Sequence, residues 1–250
     1  MTFHPMGGLS SSQWFHDDGW LDFNMFQSGH GARDIATYEM LAKDYARVPV
    51  KPVLDGEPRY ENHPINWKPD QGWFDDHDVR QAVYWSVFAG GFGVTYGCHD
   101  VWQMKTPERE PVSSARGVWT SSIDLPGAWQ MLVLRRLMES RPFLSRIPDQ
   151  SLIDGDAGSG ADHVRAARGD GYAFFYVPTG KPLGVRANAL PAAQVTAWWF
   201  DPRTGAATRI GALPGAEARR FTPPGTPGRG NDWVLVLDNA ARGFGPPGQP

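Results

Sequence analysis

Three times before Arg141 the chain sets down a short apolar run, then a polar loop, then a segment of helical periodicity. No other feature constrains the fold as tightly. Successive strands joined through helices pair in parallel, by crossover connections. The segments 21–27, 48–55 and 92–96, within WLDFNMFQ, VPVKPVLD and GGFGVTYG, read as strands. Helices are expected over 34–47, 78–89 and 127–140. In DIATYEMLAKDYAR the apolar residues Ile35, Tyr38, Leu41 and Tyr45 recur at helical spacing, and Asp78 is placed to cap the second helix. Pro49 and Pro52 confine regular pairing in the middle strand to its end.

Polar and aromatic residues gather just after each strand, in QSGH, DGEPRYE and TYGCHDVW. In a (β/α)8 barrel those positions face one another at the catalytic mouth. An open doubly wound sheet also carries function there, but on a glycine-rich phosphate turn, which this chain lacks. Beyond Arg141 the texture changes. Pro142, Pro148 and the stretch Asp154–Gly160 read as a linker over 146–161. Short runs punctuated by turns (HVRAARG, GYAFFYV, VTAWWFD, WVLVLD) then predict a small antiparallel β-sandwich over 162–240. Residues 241–250, mostly glycine and proline, read as a disordered tail.

Composition narrows the function classes. A net charge of −3 offers no basic field for nucleic acid or an anionic membrane. No apolar run approaches the roughly 20 residues that span a bilayer. Cys98 is the single cysteine, which excludes an intrachain disulfide and a thiolate zinc site. The histidines show neither HExxH nor an i, i+4 pair on a helix, so neither metal nor cofactor is expected. Ser10–Ser12 lack the strand–GxSxG–helix setting of a nucleophilic serine. Cys98 beside His99 reads as a buried thiol, and Asp17, Asp18, Asp75 and Asp76 as caps or solvated loop charges. The eleven tryptophans fit a thick core or a wall that stacks on flat ligands.

Glu57 stands out. A glutamate after a strand is ordinarily solvated or paired with a neighbour such as Arg59. Here VLDG leads the backbone up to it, Gly56 admits unusual geometry, and Pro58 fixes φ behind it. A carboxylate so held is positioned as a nucleophile must be. Glycoside hydrolysis requires two carboxyl groups, with polar and aromatic partners for the sugar. His4, Gln27, His30, Arg59, Tyr60, Tyr96, His99 and Trp102 all fall at or just after expected strand ends, as candidate substrate-binding residues. Asp55 reads as a buried hydrogen-bonding partner, and Glu61 as near enough to orient or bind.

The runs TFHPMGG, SSQWFHDDGWLDFNMFQSGH, KPVLDGEPRYE and GGFGVTYGCHDVW, in that order, resemble the apiosidase-type glycoside hydrolases, family 140 and its relatives. The resemblance covers residues 1–145, and the later segment is similar to the small β-domain, labelled collagen-binding, that follows such barrels. It implies the C-terminal half of a (β/α)8 TIM barrel, a retaining mechanism, and the glutamate of DGEPxYE, Glu57, as nucleophile on a complex plant-type glycan. It also implies that the acid/base carboxylate follows a fourth strand. TFHP resembles the end of the fifth, so the chain is expected to be a fragment, inactive alone. A secreted or periplasmic location is the corresponding expectation. The alternative is a non-catalytic carbohydrate- or collagen-binding module, for which the Trp198–Trp199 pair would be the working surface, although the favoured reading of that pair puts one tryptophan in the core and the other against the barrel.

Overall fold

A computed structural model describes residues 1–249, which divide into two compact units at Met131/Leu132. The first unit begins with α1 (Ser12–Phe15), β1 (Asn24–Phe26), α2 (Thr37–Tyr45) and β2 (Val53–Asp55). It continues through α3 (Asp76–Phe88), β3 (Gly93–Val94), α4 (His99–Trp102), α5 (Trp119–Ser122) and the start of α6 (Pro126–Glu139). The three strands form one parallel sheet in the order β1-β2-β3, with Phe26 opposite Asp55 and Asp55 opposite Val94. They are shorter than the sequence suggests. The prolines before Val53 leave regular pairing only at the end of that run.

Leu41 of α2 and Val83 and Phe88 of α3 are fully buried, as is Phe26. The α3 helix starts two residues earlier than expected. Asp75, rather than Asp78, is its N-cap. The Asp75 side chain accepts from the Asp78 amide at 3.2 Å, and Asp78 accepts from the Asp75 amide at 3.0 Å, a reciprocal capping box.

The second unit is built from antiparallel strands: β4 (Ile147–Pro148), β5 (Ile153–Asp154), β6 (Arg165–Gly169), β7 (Tyr172–Val177), β8 (Leu183–Val185), β9 (Gln194–Phe200), β10 (Ala207–Pro214), β11 (Arg219–Phe221) and β12 (Trp233–Asn239). One sheet has the order β10-β9-β12-β7-β6-β4, the other β11-β8-β5. Their facing side chains meet in one core, including Phe175, Trp199 and Leu235 from the first sheet and Ile153, Val185 and Phe221 from the second.

Two expectations are corrected here. Residues 146–161 are not a linker, because Ile147–Pro148 pairs with β6 and Ile153–Asp154 with β8. The described part of the expected disordered tail, 241–249, is held in place, while Pro250 lies outside the described residues. Arg141 donates to the Gly245 carbonyl at 3.0 Å and lies over the Phe244 ring, and the Ser140 hydroxyl accepts from the Gly248 amide. Trp198 and Trp199 do not form an exposed pair, in line with the reading that puts one of them in the core. Alternation along β9 puts Trp199 into the core, edge-on to Trp233, and leaves Trp198 half-buried on the opposite face.

Candidate active site

The backbone that delivers Glu57 is fixed from both sides. The Gly56 amide donates to the Phe26 carbonyl at 2.8 Å, and the Gly29 amide donates to the Glu57 carbonyl at 2.9 Å. Gly56 is demanded by space rather than by conformation, since a Cβ there would come within 2.5 Å of Met25 Sδ. Beneath it the fully buried Asp55 accepts from the Ser28 hydroxyl at 2.8 Å and the Ser28 amide at 3.3 Å. Burial pushes the Asp55 carboxyl up to about 6 despite those bonds. Asp55 ties β2 to the loop that carries His30, the supporting role expected of it.

The Glu57 carboxylate is partly exposed, with an imidazole nitrogen close to each oxygen. His30 Nε2 lies 3.0 Å from Oε1 and His4 Nε2 lies 3.3 Å from Oε2. Its ionisation is held below the usual carboxylate range, chiefly by the His30 hydrogen bond, with burial opposing. The Tyr60 phenol lies within electrostatic reach of Glu57. Burial first, then the carboxylate charge, pushes that phenol up to about 12. Glu57 is thus an anion held beside two imidazoles and a phenol, and left partly exposed.

Tyr60 also forms one wall of an open groove lined by Tyr96, Gly97, Trp102 and Ile123. Trp102 is 60% exposed. Gly97 allows the Tyr60 ring to lie flat against the backbone, where a Cβ would meet the ring at 2.0 Å. The Tyr96 hydroxyl donates to Glu61 Oε2 at 2.8 Å, and the Gly127 amide donates to the same oxygen at 3.0 Å. Glu61, itself buried, therefore braces the groove wall from behind.

Of the residues singled out in the sequence, the structure brings His4, His30 and Tyr60 onto Glu57, and Tyr96 and Trp102 into the adjoining groove. Arg59 is a correction. It is wholly buried, with its guanidinium 5.9 Å from the Trp85 ring centroid, and its charge acts on Asp55. His99 is a second correction, being buried with Nε2 donating to the Val112 and Ser113 carbonyls at 3.0 and 3.1 Å. It anchors a wall loop instead of facing the open side. Gln27 stands half-buried after β1, its backbone paired with Gly8 and Leu9.

His63 and Trp67 were missed as site residues. His63 stacks on His30 at 4.2 Å between ring centroids, meets His99 edge-on at 4.4 Å, and lies 5.4 Å from Trp67. Only their place in the loop after Glu57 could have signalled them. Among the described residues, one group has metal-ligating atoms mutually close, Asp75, His77 and Asp78. Both carboxylates there are engaged in the α3 capping box, and Asp78 also faces Arg33 at 3.5 Å.

Residues 1–145 match the family described as the apiosidase-like catalytic domain. Residues 147–238 match the family labelled as a collagen-binding domain of a collagenase. Among solved structures, a glycoside hydrolase is 36% identical with a TM-score of 0.93, over 96% of this chain and 57% of its own. A glycoside hydrolase family 5 protein from Bacteroides vulgatus ATCC 8482 is 35% identical with a TM-score of 0.94, over 98% of this chain and 56% of its own. The chain thus spans a little over half the length of those two structures. No curated protein matches it.

Proposed function

This chain belongs to the apiosidase-like glycoside hydrolase family, and from that premise we propose that it contributes the C-terminal half of a (β/α)8 barrel that cleaves complex, plant-type glycans with retention, using Glu57 as nucleophile. The observation that carries the reading is the Glu57 carboxylate itself. It stands at the C-terminal end of a parallel strand, held ionised by His30 and His4, with an aromatic groove beside it. Retention requires a carboxylate that is charged and oriented before the sugar arrives. His30 and Tyr60 orient it, and Tyr96 and Trp102 offer flat faces to a ring beside the attacked carbon.

The second carboxyl group, which must protonate the leaving oxygen, is assigned to the part of the barrel that this chain does not span. Glu61 is unsuited to that task, being buried and committed to Tyr96 and Gly127. The two roles can be separated by choice of leaving group. A dinitrophenolate departs without protonation, whereas an alkoxide does not. Across a panel of 2,4-dinitrophenyl glycosides, residues 1–250 should release phenolate from at least one sugar. Glu57→Gln should reduce that release by about a thousandfold or more. Methyl glycosides of the same sugars should remain intact. Equal phenolate release by wild type and Glu57→Gln would remove Glu57 from the mechanism. Cleavage of the methyl glycosides would place the acid within this chain.

A further inference from the structure

The hydrogen bonds around His30 fix more than its position. Its Nε2 faces a carboxylate oxygen of Glu57 at 3.0 Å, and its Nδ1 accepts from the Tyr60 backbone amide at 3.3 Å. A backbone N–H can only donate, so Nδ1 must carry a lone pair and Nε2 the proton. An imidazolium would set two donors against each other at Nδ1. His63 is fixed in the opposite sense, with Nδ1 2.7 Å from the Pro64 carbonyl, an obligate acceptor. His99 is fixed by two carbonyls at its Nε2. A carbonyl can only accept, so His63 carries a proton on Nδ1 and His99 one on Nε2.

We infer that His63 is a positioning residue which, by stacking flat on His30, locks that imidazole as a neutral Nε2–H donor, so that Glu57 receives a hydrogen bond without receiving a proton or a counter-cation. The His63 ring lies 4.2 Å from His30 with 24° between planes. This covers one face of His30, while Tyr60 lies 4.6 Å away at a tilt of 55°. Between them the rings prevent the turn about χ2 that would exchange the two nitrogens. Trp67 and Phe74 flank His63. Burial, the largest cause, lowers His63 to about 4, so the ring stacked on His30 is itself uncharged at neutral pH. A carboxylate facing a neutral donor keeps its full charge for attack. One paired with an imidazolium would be partly neutralised, and could take the proton itself.

The consequence for attack rests on Glu57 being the nucleophile, but the test reads the histidines alone and so can fail independently of that assignment. Two-bond proton–nitrogen correlation spectra of residues 1–250, labelled with nitrogen-15 at histidine, report the tautomer of each ring. At neutral pH His30 should show the single Nε2–H pattern, and His63 the Nδ1–H pattern. His63→Phe preserves a flat face and should leave the His30 pattern unchanged. His63→Leu fills the volume without a flat face and should lose it, giving mixed tautomers or imidazolium. His63→Met serves the same purpose should the leucine variant not fold. A wild-type His30 that is charged or protonated at Nδ1 would overturn the inference. So would an unmixed Nε2–H pattern in a folded leucine or methionine variant.

Discussion

Glu57 and Glu61 are the same chemical group four positions apart, yet they ionise in opposite directions. Glu57 is lowered by donors, while burial raises Glu61 to about 7. A carboxyl raised in the folded state stabilises the fold fully below its unfolded value, here 4.5, and loses that contribution as pH rises towards 7. Glu61→Gln keeps the acceptor for Tyr96 and Gly127 and removes the titration. In urea unfolding it should flatten the decline across that window and gain about 1–3 kcal/mol above it. His63 has the reverse sign. Its lowered imidazole contributes above 6.5, and the contribution is lost as pH falls towards 4. His63→Phe should therefore flatten the acid side of the same profile. At this scale, the sequence showed Glu57, His30 and Tyr60 through their places after strands. It concealed Arg59 and His99, because position after a strand does not reveal which way a side chain turns. His63 escaped because its contacts come from three separate loops.

Among the elements, α3 depends most visibly on its start. All its residues after Asp76 are buried, so its exposed amides must be satisfied by the Asp75–Asp78 pair. Asp75→Ala should cost about 1 kcal/mol, and no more than about 2, in urea unfolding. The wall made by β3 and α4 has a different weakness. Gly97→Ala would drive a methyl into the Tyr60 ring, costing about 1–3 kcal/mol. It should also reduce phenolate release, since the Tyr60 ring forms a wall of the groove and its phenol feels the Glu57 charge. The helices α2, α3 and α6 were readable to within about two or three residues because their periodicity is strong, whereas α1, α4 and α5, of four residues each, were not read. The strands β8, β10 and β11 were not read at all. The first and last have three residues each, too few for alternation to register, and β10 is largely exposed on both faces.

On the scale of the whole molecule, the expected division into an α/β part and a β part stands, but its seams moved. The glycines and prolines that suggested a linker and a loose tail instead make turns between paired strands and a clasp on Arg141. That guanidinium donates to both oxygens of buried Asp238, each at 2.7 Å. Arg141→Ala would strand a carboxylate that burial already raises, and should cost the second unit about 3–5 kcal/mol, read as a lower melting temperature. Replacing both partners, as Arg141→Met with Asp238→Leu, should recover most of the loss. The order β10-β9-β12-β7-β6-β4 has a consequence for biosynthesis. The last strand to be translated is inserted between two made long before it. While residues 233–239 remain inside the ribosome, β7 and β9 each expose an unpaired edge, with aromatic side chains alongside. The larger sheet cannot close as it emerges. Holdase chaperones should therefore engage nascent chains from the synthesis of β9 until β12 is released.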